Sequence, residues 1–234
     1  MPTHGAKEQK RLAKKRAKAA ESRKQLARRN SDDPMIRLRE AEHWPIIAAL
    51  VPEELWIDGL GQLVLARQAP HGRVAFAVYL VDVFCLGVKD CLWKLTSQAD
   101  YEATLQKLNS RFPLEKVSPE YFAKLIFGAV DYARSFDLAP HPDFRHARLM
   151  LHGIEPSLCD ETFEFGQNGK PHYISGPYES TERAQSIARR IAEAGGHFIV
   201  RVPHEGGLTI IQDKDRRGAT EFPMLRLDPS DAAG

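Results

Sequence analysis

Side chains able to do chemistry gather in two stretches of this 234-residue chain. The first is Asp82-Val83-Phe84-Cys85-Leu86-Gly87-Val88-Lys89-Asp90. Asp82 closes an alternating apolar run and shares a strand face with Leu80 and Phe84. A carboxylate in such company must be paired, hydrogen-bonded or neutral. Lys89, Arg67 and backbone N–H groups are its expected partners. Asp82 and Asp90 together could form a carboxylate pair for a divalent metal or for acid–base work, and Lys89 completes that candidate set. The simpler reading makes Asp82 a structural carboxylate that pins the turn at Gly87.

The second stretch runs from His141 to Asp160 and holds Asp143, His146, His152 and Cys159. Cys159 and His152 could meet as a thiol–imidazole pair. His146 and His152 are six residues apart and do not share a helical face as an i,i+4 pair would. A lone histidine on a helix is more often a surface or core residue than a ligand. Both catalytic sets are candidates only, and the sequence leaves open whether the chain is an enzyme.

No metal or cofactor is assigned. Cys85, Cys91 and Cys159 form no CxxC, and the histidines complete no zinc pattern with them. Reduced, buried thiols are expected. Gly166-Gln167-Asn168-Gly169-Lys170 has the look of a phosphate-cradling loop. It lacks the GxxxxGK[ST] spacing and leads into no helix, so it reads as a hairpin turn. The helix start at Ser180 could hold an anion.

The clearest pointer to a partner class is electrostatic. Lys7, Lys10, Arg11, Lys14, Lys15, Arg16, Lys18, Arg23, Lys24, Arg28 and Arg29 stand against only Glu8 and Glu21, a local charge of +9. The rest of the chain carries −7, although the total is only +2. Clustered Lys and Arg neutralise phosphates and release counterions without reading sequence. Residues 6–29 contain no aromatic side chain, which excludes base stacking by this arm. They also lack the apolar face that a membrane surface would need. Leu12 and Leu26 are the only large aliphatics, so an arm that is disordered, or helical only on a partner, is expected. The alternative is a solubilising tail that rests on the acidic body.

Local patterns place these residues on an α+β framework of antiparallel β-hairpins packed with helices. The expected layout is a basic arm and linker over 1–34, a body over 35–155, a small hairpin–helix–strand unit over 156–212 and a flexible tail over 213–234. Residues 35–57 read as helix with turns, punctuated by Pro45 and Pro52. Strands are predicted over 62–67 and 73–85, the second apolar on both faces and therefore central. Residues 98–109 read as an exposed helix. Ser118-Pro119-Glu120 opens a second one, with Phe122, Leu125, Ile126, Ala129, Val130 and Ala133 at helical spacing. A short helix is expected after His141, with Pro142 at N1, running to about Leu151. Residues 162–165 and 171–175 are predicted to pair across the Asn168-Gly169 turn. A helix from Ser180 to Gly195 and strands over 197–202 and 208–212 follow.

Three stretches taken together resemble an uncharacterised bacterial protein family that often begins with a Lys/Arg-rich arm. They are 61–67 with 80–90, 128–134 with His141-Pro142-Asp143-Phe144, and 165–171 with Ile174-Ser175-Gly176-Pro177. The resemblance covers most of the body and implies a bacterial location, with no reaction, cofactor or catalytic residue attached. The lack of any apolar run of about 18–20 residues or of a secretory leader pattern adds the expectation of a soluble, cytoplasmic protein. The leading expectation is an RNA- or ribosome-associated binding protein that grips through its arm. The alternatives are a metal-dependent nucleic-acid-processing enzyme using Asp82 and Asp90, and a protein-interaction module with a solubilising tail.

Overall fold

A strand that is apolar on both faces must be covered on both. In the computed structural model, which describes Glu21 and residues 38–204 and 207–212, this requirement organises the body. The arm, apart from Glu21, its linker and the tail from 213 lie outside the described residues. Strand β3 (Arg73–Asp82) lies between β2 (Leu60–Ala69) and β4 (Gly87–Ser97), antiparallel to both. The sheet is completed by β1 (Ile46–Pro52) and β5 (Leu114–Lys116), in the order β4-β3-β2-β1-β5. One face of β3, with Ala75, Ala77, Tyr79 and Val81, packs in a core with Phe122, Leu125 and Ile126 of helix α3 (Pro119–Arg134). The opposite face, with Val74, Phe76 and Val78, packs with Tyr101 of helix α2 (Gln98–Asn109). Each fully buried large side chain contributes on the order of 1.5–3 kcal/mol.

Local signals explain where these helices begin. The hydroxyl of Ser118 accepts the Tyr121 N–H, and Pro119 occupies the first turn where its missing N–H costs nothing. Ser97 caps α2 in the same way, accepting the Asp100 N–H. The Ser97 and Thr96 hydroxyls in turn hold the exposed Asp100 carboxyl below the usual carboxylate range.

Four local expectations are corrected. Residues 46–52 form strand β1, followed by the one-turn helix α1 (Leu55–Asp58), where a longer helix was expected. Pro45 and Pro52 leave a window too short for a helix, and Ile46, Ile47 and Val51 favour a pleated sheet. The stretch 88–97 was given no strand, yet Cys91, Trp93 and Leu95 alternate onto the core face of β4. The helix expected to run from Pro142 to Leu151 is the short α4 (Phe144–Ala147), which follows Asp143 without a side-chain cap and is continued by a 3₁₀ turn at Arg148–Leu151. Finally, Asn168 (φ 55°) and Gly169 (φ 72°) do make a tight turn, but it closes only a Gln167–Lys170 bridge. Residues 162–165 pair with nothing; Phe163 and Phe165 pack against the main core instead.

The partner of β6 (His172–Ile174) is β7 (His197–His204), and the pairing is parallel. The crossover is helix α5 (Thr181–Glu193), whose Ala184, Ile187, Ala188 and Ile191 face inward. Strand β8 (Gly207–Gln212) adds antiparallel to β7. This small sheet is welded to the large one. Cys85 and Leu86, from the β3–β4 connection, share a core with Tyr173, Ile187 and Ile191.

Arg67 shows what the tertiary fold does with an isolated buried charge. It is 2% exposed. Its guanidinium donates to the carbonyls of Met150 (2.9 Å), Trp44 (2.9 Å), His152 (2.6 Å) and Glu42 (3.3 Å). Its expected role as partner to Asp82 is therefore corrected: Arg67 ties the segments around residues 42–44 and 150–152 to β2.

Candidate functional site

The connection from β3 to β4 is where polar groups meet the core. Asp82 is 8% exposed, and its Oδ1 accepts the N–H groups of Phe84 and Cys85, both at 2.9 Å. Burial pushes its pKa above the ordinary carboxylate value, while the Cys85 N–H, the Lys89 charge and the Phe84 and Leu86 N–H groups pull it back. Gly87 (φ 63°) then turns the chain into β4; a Cβ at this position would lie 2.7 Å from the Ala129 carbonyl oxygen. Beyond it the register jumps from Leu80↔Asp90 to Val81↔Val88. Lys89 is the extra residue of this β-bulge, and such bulges re-aim a side chain out of the strand's alternation.

The bulge also separates the proposed carboxylate pair. Asp82 points into its own turn. The Asp90 side chain is 67% exposed, accepts the Cys91 N–H at 2.7 Å and lies 3.9 Å from His141 Nδ1. Among the described residues, no group of three or more His, Cys, Asp or Glu side chains could hold a metal ion. The structure gives His152 a carboxylate neighbour and engages the backbone of Cys159, with no contact between the two side chains among the described residues. His152 Nδ1 lies 3.6 Å from Glu42, and the Cys159 carbonyl accepts the Lys124 ammonium at 2.7 Å. Burial raises the pKa of the Cys85 thiol far above its usual range and that of Cys91 to about 12, so neither is a thiolate at neutral pH.

Facing the bulge across a cleft of about 640 Å³ is α5. Ser180 caps this helix by accepting the Arg183 N–H at 3.3 Å. The Glu182 carboxylate is held below its usual pKa by its own N–H and by Ser180. The helix start that could have held an external anion is thus served by the chain's own groups. Arg183 and Arg190 are seven residues apart, close to two full turns, and line the same cleft as Ile187. Arg183 Nε donates to Glu179 Oε1 at 3.2 Å, and Arg190 donates to the Asp137 carbonyl at 2.5 Å. Glu179 is further engaged: its Oε2 accepts the Tyr173 hydroxyl at 2.6 Å and the Gly176 N–H at 3.2 Å. The opposite wall is formed by Leu86, Val88, Lys89 and the loop Asp137–Pro142.

Sequence reading singled out Lys89 but missed Arg183, Arg190 and Glu179. The seven-residue spacing of the two arginines on a strongly amphipathic helix was a usable signal. Their approach to Lys89, about a hundred residues away, was not. The eleven cationic arm residues lie outside the described residues. No helix among the described residues is long and apolar enough to cross a membrane. Compared with protein-family models, curated proteins and solved structures, the chain matches none.

Proposed function

We propose that the protein binds RNA through its basic arm, without catalysing a reaction on it, and works among ribosomal or other structured RNA in the bacterial cytoplasm. The observation that carries this reading is the charge of +9 held within residues 7–29, in a segment with no aromatic residue and no apolar face. Such a segment has little to gain from packing and much to gain from polyanions. The positions of the candidate catalytic residues support binding over catalysis. Asp82 is engaged with its own turn while Asp90 faces solvent, and His152 lies beside Glu42.

The test is a salt series with the full-length chain and a structured RNA, read by fluorescence anisotropy. Neutralising Lys10, Arg11, Lys14, Lys15 and Arg16 to Gln removes five cations. At about 0.7–0.9 per phosphate contact, the slope of log K against log salt should flatten by about 3.5–4.5. An unchanged slope, or no binding by the parent chain at low ionic strength, would overturn the reading.

A further inference from the structure

We infer that the cleft between the β3–β4 bulge and α5 binds a nucleoside phosphate, with its phosphate held by Lys89, Arg183 and Arg190 and its base laid on the apolar floor between them. This site is separate from the arm and rests on different observations.

The first observation is where the cations come from. Lys89 enters from the large sheet as the extra residue of a bulge; Arg183 and Arg190 enter from the small unit two helical turns apart. The cleft exists only because the two units dock. Lys89 makes no hydrogen bond or close ion pair with another described residue, although from a longer range its charge favours the ionised form of Asp82. Arg183 uses Nε on Glu179 and Arg190 uses Nη1 on Asp137, which leaves other guanidinium N–H groups of each free for a bidentate grip on phosphate oxygens.

The second observation concerns the acids. Glu179 and Asp137 also line the cleft. Glu179 already accepts hydrogen bonds from Tyr173, Gly176 and Arg183. Asp137 is an exposed residue at the edge of α3 with a left-handed φ of 58°. His141 sits near both Asp90 (3.9 Å) and Asp143 (3.8 Å). The three cations of the lining exceed its two acids by one, and Glu179 is already engaged within the chain, which suits the cleft to an anionic phosphomonoester.

The third observation is the floor. The half-buried Leu138 and Pro140 supply its accessible apolar surface, backed by the buried Leu86, Val88 and Ile187. A bare phosphate would leave this surface idle. At about 640 Å³ the cleft falls in the size range of small-ligand pockets, about 300–1,000 Å³.

The ligand can be a free nucleotide or the 5′-phosphate end of a strand, and calorimetry on the full-length protein at moderate salt separates the two. The probes are AMP, adenosine, inorganic phosphate, and a short oligonucleotide with or without a 5′-phosphate. AMP or the 5′-phosphorylated strand should bind, with adenosine and inorganic phosphate each weaker by about tenfold or more. Lys89→Gln should weaken binding about tenfold, the worth of one charge-assisted hydrogen bond of about 1.5–3 kcal/mol. Lys89 holds no structural hydrogen bond, so circular dichroism of this variant should match the parent. The arm variant should keep nucleotide binding even where it loses RNA, which keeps the two proposals apart. Equal affinity for AMP and adenosine, equal affinity for AMP and inorganic phosphate, absence of binding by every phosphorylated probe, or a folded Lys89→Gln variant that binds as the parent does would overturn the inference.

Discussion

Two recesses lie at opposite ends of α3, a helix about 24 Å long at 1.5 Å per residue, and their chemistry is opposed. At its start, Trp56, Tyr121 and Phe163 line a pocket of about 450 Å³ rimmed by Glu161 and Glu164, with no cation in the lining. Beyond its end lies the cationic cleft. The first recess spends its aromatic rings on one another. Phe163 stacks on Trp56 at 5.6 Å and meets the edge of Tyr121 at 4.8 Å; Phe165 joins at 6.2 Å. The second recess leaves the Lys89 ammonium without a hydrogen-bonded partner among the described residues. A recess whose walls are mutually satisfied is part of the core; one that keeps a cation free of hydrogen bonds beside apolar surface has capacity for a ligand.

That contrast can be broken by mutation. The largest effect is expected at Phe163. Phe163→Ala removes a ring packed against three others, and its half-buried position sets the cost somewhat below that of a fully buried ring, about 2–3 kcal/mol. Urea denaturation measures it; a loss below half a kilocalorie would mean the aromatic recess is not structural.

A smaller effect is expected at Asp82, beside the cationic cleft. Asp82→Ala leaves the Phe84 and Cys85 N–H groups without their acceptor, a loss of about 1–3 kcal/mol. Asp82→Asn keeps an acceptor oxygen and discards the charge. Burial raises the native pKa of Asp82 above its unfolded value. Its contribution to stability is therefore full below the unfolded value of about 4 and lost as pH rises through the native value. The Asn variant should equal the parent at acid pH and surpass it at neutral pH. Denaturation midpoints across that range check the sign, and a parent that gains on the variant with rising pH would contradict it.

The smallest effect on stability is expected at Lys89. Lys89→Gln should cost no more than about 1 kcal/mol, because the half-buried Lys89 loses only its longer-range pull on Asp82. A loss of 2 kcal/mol or more would turn the cleft into a second structural recess and erase the distinction between the two.

How much of this was legible beforehand follows from the range of each interaction. Strand β3 announced itself as central because alternate positions on both of its faces are apolar. Helices α3 and α5 announced their starts through Ser118 and Ser180, and their inner faces through 3.6-residue spacing. Strand β1 was concealed because a few apolar residues between two prolines carry no decisive period. The Asn168-Gly169 turn was correctly seen, but a tight turn does not compel its flanks to pair; Phe163 and Phe165 had a deeper aromatic cluster to join.

Composition and local spacing alone determined the α+β class, the basic arm, the central strand and the capped helices, because each depends on residues within a few positions of one another. Only the tertiary structure decided that β6 pairs in parallel with β7, that Arg67 ends on four carbonyl oxygens, that Asp82 turns inward while Asp90 turns outward, and that Lys89 shares a cleft with Arg183 and Arg190. Those outcomes depend on a one-residue bulge and on the docking of two units far apart in the chain. A single extra residue reverses the face of everything after it in a strand, and no local propensity encodes which distant surface will be waiting there.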